Sequence, residues 1–164
     1  MTVTRAGIGL LGALALALPL TACDTNESRR DDNGAIVEEN EKASVFEMRV
    51  GDCYDDPEEG MDDEFVEVET AKAVPCGQPH DNEVFHIVDL PDGDFPGDAE
   101  TNELGMDLCY EQFEAFVGLP YEESALDFFI YQPTAESWRA GDREIACPVY
   151  GEEKLTGTQK GSGI

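Results

Sequence analysis

The sequence predicts a small single domain of the α+β class, with a four- to five-stranded antiparallel or mixed sheet, one main helix and two disulfides. Three observations carry that expectation. Apolar residues recur in short runs bounded by Gly, Pro and Asp, as strands require. One longer stretch, Thr101 to Val117, repeats its apolar residues at three- and four-residue steps, as a helix requires. Four cysteines, Cys53, Cys76, Cys109 and Cys147, stand singly between residues 53 and 147. A chain of 164 residues with 41% hydrophobic content has room for one modest core once its ends are set aside.

In chain order, Thr4-Arg5 precedes an apolar run from Ala6 to Leu18 that is too short to span a bilayer, which predicts a secretory signal over residues 1–22. The run closes on Leu20-Thr21-Ala22-Cys23, which resembles the lipobox of bacterial lipoproteins. There small residues admit the peptidase and the cysteine sulfur receives a diacylglyceryl group, so Cys23 is the expected lipidation site. Two acyl chains suffice for stable anchoring. From Asp24 to Ala43 the chain is acidic, carries no aromatic residue and holds a single Ile36-Val37 pair, too little apolar surface to offset the entropy of ordering. Residues 23–44 are therefore expected to be a disordered acidic tether with a reach of roughly 25 Å.

Order is expected over residues 45–150. Apolar residues return at Val45-Phe46 and lead through Val50 into a turn at Gly51-Asp52 and a strand start at Cys53-Tyr54. Asp55 to Glu64 is an acid-rich loop without the ligand spacing of a calcium-binding loop, and Pro57 interrupts it. Phe65 to Val74 alternates, with Val66, Val68, Thr70 and Val74 on one face and Glu67 and Glu69 on the other, a half-buried strand ended by Pro75. Glu83 to Leu90 is apolar on both faces, as a central strand requires. The helix stripe comprises Leu104, Leu108, Cys109, Phe113, Phe116 and Val117, and Gly118 and Pro120 stop it. Leu126 to Gln132, dense in aromatic residues, predicts a buried strand. Thr134 can cap a short turn that presents Trp138. Arg143 to Tyr150 aligns Ile145, Cys147 and Val149, and residues 151–164, with Gly157, Gly161 and Gly163, are expected to be a flexible tail.

Charge narrows the function. With 37 acids against 10 bases the formal net charge is -27, which excludes nucleic acid as a partner, because binding it requires a basic face. Anionic lipid head groups are equally poor partners. Such an excess of acid is what a solvated, self-repelling surface needs, and it leaves open a cation-attracting or basic-partner surface.

The short motifs Val50-Gly51-Asp52-Cys53, Val74-Pro75-Cys76, Pro79-His80-Asp81 with Glu83-Val84, Cys109 within a helix, Pro133-Thr134, Ser137-Trp138, Gly141-Asp142-Arg143 and Cys147 resemble those of the septum formation family of actinobacterial envelope proteins. The resemblance implies a membrane-tethered, extracytoplasmic domain without an assigned catalytic residue. Its partners would be the membrane, through the lipid anchor, and an envelope or division protein.

With Cys23 lipidated, four cysteines remain in an exported chain, which favours two disulfides over metal. Cys76 and His80 have a finger-like interval, yet the paired knuckles that hold zinc are missing. Of the three pairings, Cys109 with Cys147 joins the helix stripe to an inward strand face. Cys53 with Cys76 demands a bend near Pro75, because a straight hairpin across the acidic loop would set Cys53 opposite the high sixties. Each bridge stabilises by roughly 3–4 kcal/mol on the chain-entropy model.

His80, Asp81, Glu83 and His86 crowd into one stretch and admit two readings. In the first, Asp81 or Glu83 pairs with Arg143 beside Trp138 while His80 bonds the turn backbone, so the cluster braces two distant segments or binds a ligand. In the second, His80, His86 and an acid hold a metal and another acid serves as base, making a metal-dependent envelope hydrolase. No H-E-x-x-H helix or G-x-S-x-G elbow accompanies the cluster. The expectation is a non-catalytic binding or scaffolding module with no cofactor and no metal, lipid-anchored on the extracytoplasmic side of the cell membrane.

Overall fold

The computed structural model describes residues 26–56 and 68–164. Six strands, β1 (Asn40–Ser44), β2 (Cys53–Asp55), β3 (Thr70–Val74), β4 (His80–Asp89), β5 (Asp127–Phe128) and β6 (Glu144–Leu155), form one sheet in the order β1-β3-β2-β4-β6-β5. Every pairing is antiparallel. Helix α1 (Asp98–Val117) is the main helix, and α2 (Ala135–Ala140) is a short turn of helix before β6. This is the expected α+β domain with two disulfides, its strand count slightly above expectation because β1 lies outside the predicted ordered region.

β4 is the central strand, paired to β2 on one side and along most of its length to β6 on the other. The larger core lies where α1 meets the sheet: Phe85, Cys109, Phe113, Phe116, Val117, Phe128, Trp138, Ile145, Cys147 and Val149 pack together. Met48, Tyr54, Ala71 and Val84 form a second, smaller cluster. The buried face of α1 is Thr101, Gly105, Cys109, Phe113, Phe116 and Val117, so it is rotated from the predicted stripe, and Leu104 stands 42% exposed. Gly105 explains the rotation. A Cβ there would come within 2.6 Å of Ile130 Cδ1 and 3.3 Å of Ile145 Cγ2, so the helix approaches the sheet by its smallest residue.

Both disulfides join the expected partners, Cys53 to Cys76 and Cys109 to Cys147. The bend expected at Pro75 is unnecessary: Cys53 faces Val74 across the β2–β3 pair, which leaves Cys76 two residues beyond the ladder and within reach. β3 departs from the predicted alternation: Val74 is buried as expected, but Ala71 and Ala73 are buried too while Thr70 is half-exposed, because it is an interior strand packed through small side chains. Residues Phe65 to Glu67 of the predicted strand, and most of the acid-rich loop, lie outside the described residues. Of the strand predicted over Leu126 to Gln132, only β5 and a single bridge from Tyr131 to Ala146 form.

Two boundaries are corrected. The segment expected to be a disordered tether is ordered from residue 26: β1 pairs with β3, Ile36 is buried against Ala43 and Ala73, and Arg30 reaches a buried Asp52. Sparse apolar content misleads here because the segment does not build its own core. It adds backbone hydrogen bonds to an existing sheet edge, the ion pair of Arg30 with Asp52, and Glu39 and Glu41 beside Lys72. The expected flexible tail is likewise docked. β6 runs on to Leu155, Gln159 is 4% exposed, and the Gly157 and Gly161 amides donate to Cys76 O and Phe116 O, both at 2.7 Å. Those glycines have φ of 80° and 71°, so they make turns where they had suggested looseness.

Candidate functional site

The predicted cluster divides into three places. The first is a buried knot at one end of β4. His80 and Glu83 are both fully buried, as is Cys53, which faces Glu83 across the β2–β4 pair. His80 Nδ1 lies 2.8 Å from the Gln78 carbonyl, the expected bond to the turn. Since a carbonyl only accepts, Nδ1 carries the proton in the neutral ring and the lone pair sits on Nε2. Glu83 does not meet Arg143. Its carboxylate accepts from Thr158 Oγ1 at 2.6 Å and from the Gln159 amide at 2.5 Å, both supplied by the segment after β6. A buried carboxylate needs such donors, and the tail exists in the fold to provide them.

The second place belongs to Asp81, whose side chain is 30% exposed between the buried His80 and Asn82. Lys154 on β6 bridges Asp81 and Asp55, with Nζ at 3.0 and 2.6 Å from their carboxylates. Burial pushes the Asp56 carboxyl up, opposed by the hydrogen bond from Asn82. Lys154, not Arg143, is thus the base that pairs with Asp81.

The third place is the corner after α2. Thr134 and Ser137 form a capping box, and Ser137 Oγ donates to Asp142 at 2.8 Å. Trp138 is 5% exposed and its indole N–H donates to Gly93 O at 2.9 Å, so it is a core residue. Arg143 lies over that indole, 3.8 Å from the ring centroid, and donates to the Trp138 and Asp142 carbonyls. Among the described residues the acid paired with it is Asp92, 97% exposed, with Oδ1 3.3 Å from Nε, close enough for attraction but not aligned as a hydrogen bond. The expected brace between Arg143 and Asp81 or Glu83 is therefore absent. Arg143 follows Trp138 closely in sequence and is used locally.

The hydrolase arrangement of His80, Asp81, Glu83 and His86 is not assembled. Among the described residues, the group of potential metal-ligating side chains in mutual reach is Cys53, His80 and Glu83, without Asp81 or His86. Burial lowers the His86 imidazole, which lies on β4 opposite Cys147. Cys23 lies outside the described residues. No helix among the described residues is long and apolar enough to cross a membrane.

Two further features escaped the sequence reading. Arg30 Nη1 and Nη2 grip both oxygens of Asp52 at 2.5 and 2.6 Å. Phe46, 60% exposed in a 3₁₀ turn after β1, stands between two clefts. One, of about 340 Å³, includes Arg30, Met48 and Asp52 in its lining; the other, of about 410 Å³, includes Asp89, Asp92, Asp142, Arg143 and Glu144. A Phe following an acidic tract gave no periodic signal.

These features define a disulfide-braced, all-antiparallel α+β domain whose reactive-looking side chains are mostly buried and whose open surface is a pair of clefts. The septum formation family model matches residues 19–147, well over half of the chain, and the chain belongs to that family. No curated protein and no solved structure matches it.

Proposed function

We propose that this chain is a lipid-anchored protein on the extracytoplasmic side of the cell membrane that acts in septum formation as a non-catalytic binding module, engaging an envelope or division protein through the face around Phe46. The observation that carries the reading is the placement of that exposed ring between two clefts. A partner that closes over both clefts would bury the Phe46 ring between them as an aromatic anchor. The second cleft sets Asp89, Asp92, Asp142 and Glu144 against the single base Arg143, so a segment carrying basic residues complements it. The motif at Leu20-Thr21-Ala22-Cys23 supports the anchor, and the family supports the septal role.

The test is photocrosslinking in living cells from an amber codon at position 46, with position 110 on α1, where Tyr110 is 47% exposed, as the control. A discrete adduct at 46 that is missing at 110, together with defective septa in a Phe46→Asp strain, is the expected result. Equal labelling at both positions, with normal septa in Phe46→Asp cells, would overturn the proposal.

A further inference from the structure

We propose that the Cys53–Cys76 bridge masks a metal site: once a dithiol reduces it, Cys53 Sγ, His80 Nε2 and a Glu83 carboxylate oxygen bind one divalent ion of the zinc class. A ligand atom from each of the three residues already lies within 4.8 Å of the others, and all three residues are fully buried. The donor set suits zinc, which takes thiolate, imidazole and carboxylate together. Charge also balances: one thiolate, one carboxylate and a neutral imidazole offset a divalent cation in a place where unbalanced charge is costly.

Two independent details point to a ligand. Among the described residues His80 Nε2 is buried with no hydrogen-bond partner, so its lone pair is open to an ion. The ring is meanwhile oriented by its Nδ1–H on the Gln78 carbonyl, the backbone contact that typically fixes a metal-binding histidine with Nε2 free. Glu83 is held in the same manner. One donor reaches each of its oxygens, Thr158 on Oε1 and the Gln159 amide on Oε2, which leaves lone pairs on both for an ion.

The two bridges are unequally accessible. Cys109 and Cys147 are both fully buried, whereas Cys76 is only partly buried and covers the fully buried Cys53. An incoming thiolate therefore attacks Cys76 Sγ, the S–S bond breaks, and Cys53 departs as a thiolate into the site. The second thiol of the reductant then releases Cys76 and leaves as its own disulfide, so two electrons pass to the protein. Metal binding fixes the Cys53 thiolate, and any proton it has taken up goes to solvent. A water would complete the fourth position.

A Cys76→Ser ectodomain frees Cys53 without any reductant and keeps Cys109–Cys147 closed, so cobalt(II) can be titrated into it directly. Expected are one ion per chain, tetrahedral visible bands, a thiolate-to-cobalt charge-transfer band in the near ultraviolet, and displacement by zinc. The oxidised parent should show none of these, and adding Glu83→Gln or His80→Ala should weaken binding by about tenfold or more. If Cys76→Ser fails to fold, the parent is reduced natively with a phosphine, which does not compete as a dithiol chelator would, and alkylation mapping verifies that Cys109–Cys147 stays closed. Absence of the thiolate band, equal binding by oxidised protein, or unchanged affinity after His80→Ala would each overturn the proposal.

Discussion

Replacing Arg30 by Ala tests whether the segment before β1 belongs to the fold. Arg30 and Asp52 are 22 positions apart, and their side chains are only 12% and 4% exposed. Removing one member of a buried pair leaves the other charged and uncompensated, a loss of about 3–5 kcal/mol. Among the described residues Asp52 keeps one donor, the Arg49 amide at 2.8 Å from Oδ2, and the adjoining cleft admits water, so a loss reduced from that range to about 2–4 kcal/mol is expected. With a urea slope of about 2 kcal/mol/M, the unfolding midpoint should fall by roughly 1–2 M. The control is Arg29, one residue earlier, whose pair with Glu38 is 76% and 62% exposed. Arg29→Ala should leave the midpoint where it is. In the Arg30→Ala background, Asp52→Asn should recover part of the loss by removing the stranded charge. Urea melts of the ectodomain in which Arg30→Ala and Arg29→Ala coincide would refute the reasoning and return the segment to the status of a tether.

Three other perturbations are informative. Glu144 has its carboxyl raised by burial, with Asp89 and Asp142 adding to the shift. Such a group favours folding below the unfolded value of 4.5 and loses that contribution as pH rises through its folded value, so Glu144→Gln should raise the melting temperature at pH 7 and bring progressively less as pH falls toward 4.5. Arg143→Lys keeps the charge but loses the planar stack on Trp138 and one fixed donor pair; about 1–2 kcal/mol should be lost in a urea melt, and Asp92→Asn should have no effect. Ending the chain at position 156 removes both donors to Glu83 and should cost about 2–4 kcal/mol, most of it recovered by Glu83→Gln if the stranded charge is the cause.

The parts of the fold that were legible in the sequence are those set by local pattern. α1 follows from its three- and four-residue apolar spacing, β4 from apolar residues on both faces of Glu83 to Leu90, and the α2 cap from Thr134. What was not legible depends on long-range partners. β1 is a strand only because β3 offers it an edge, and Asn40–Ser44 shows no apolar alternation of its own. The tail docks through backbone amides and a carboxylate distant in sequence, which composition cannot register. For the candidate site, the crowding of His80, Asp81 and Glu83 was visible, and so was the pairing of the cysteines. Which way each side chain turns was not. Bulges in the β4–β6 register, between His80 and Asn82 and between Val84 and His86, break the simple alternation that would have sorted them. Arg143 was matched to the wrong acids because proximity in a motif says nothing about which sheet face an acid occupies.

A chain with a formal charge of -27 repels itself, and the placement of its few bases shows where that repulsion is countered. Lys72 on β3 sits 3.2 Å from Glu39 and 3.5 Å from Glu41 of the β1 region, Lys154 ties β6 to Asp55 and Asp81, and Arg30 holds the segment before β1 to Asp52. Each base thus joins pieces of chain that the sheet must keep side by side. The pairs differ in how solvent reaches them: those of Lys72 and Lys154 are partly exposed, whereas Arg30 and Asp52 are nearly enclosed. Salt screens both the exposed attractions and the general repulsion among acids, and the acids outnumber the bases by far. Added salt should therefore raise the melting temperature of the ectodomain on balance, while the difference between the parent and Arg30→Ala stays nearly constant, because a buried pair is screened little. A salt series in which that difference collapses would mean that water and ions reach Asp52 freely, and that the order of the segment before β1 rests on its backbone pairing alone.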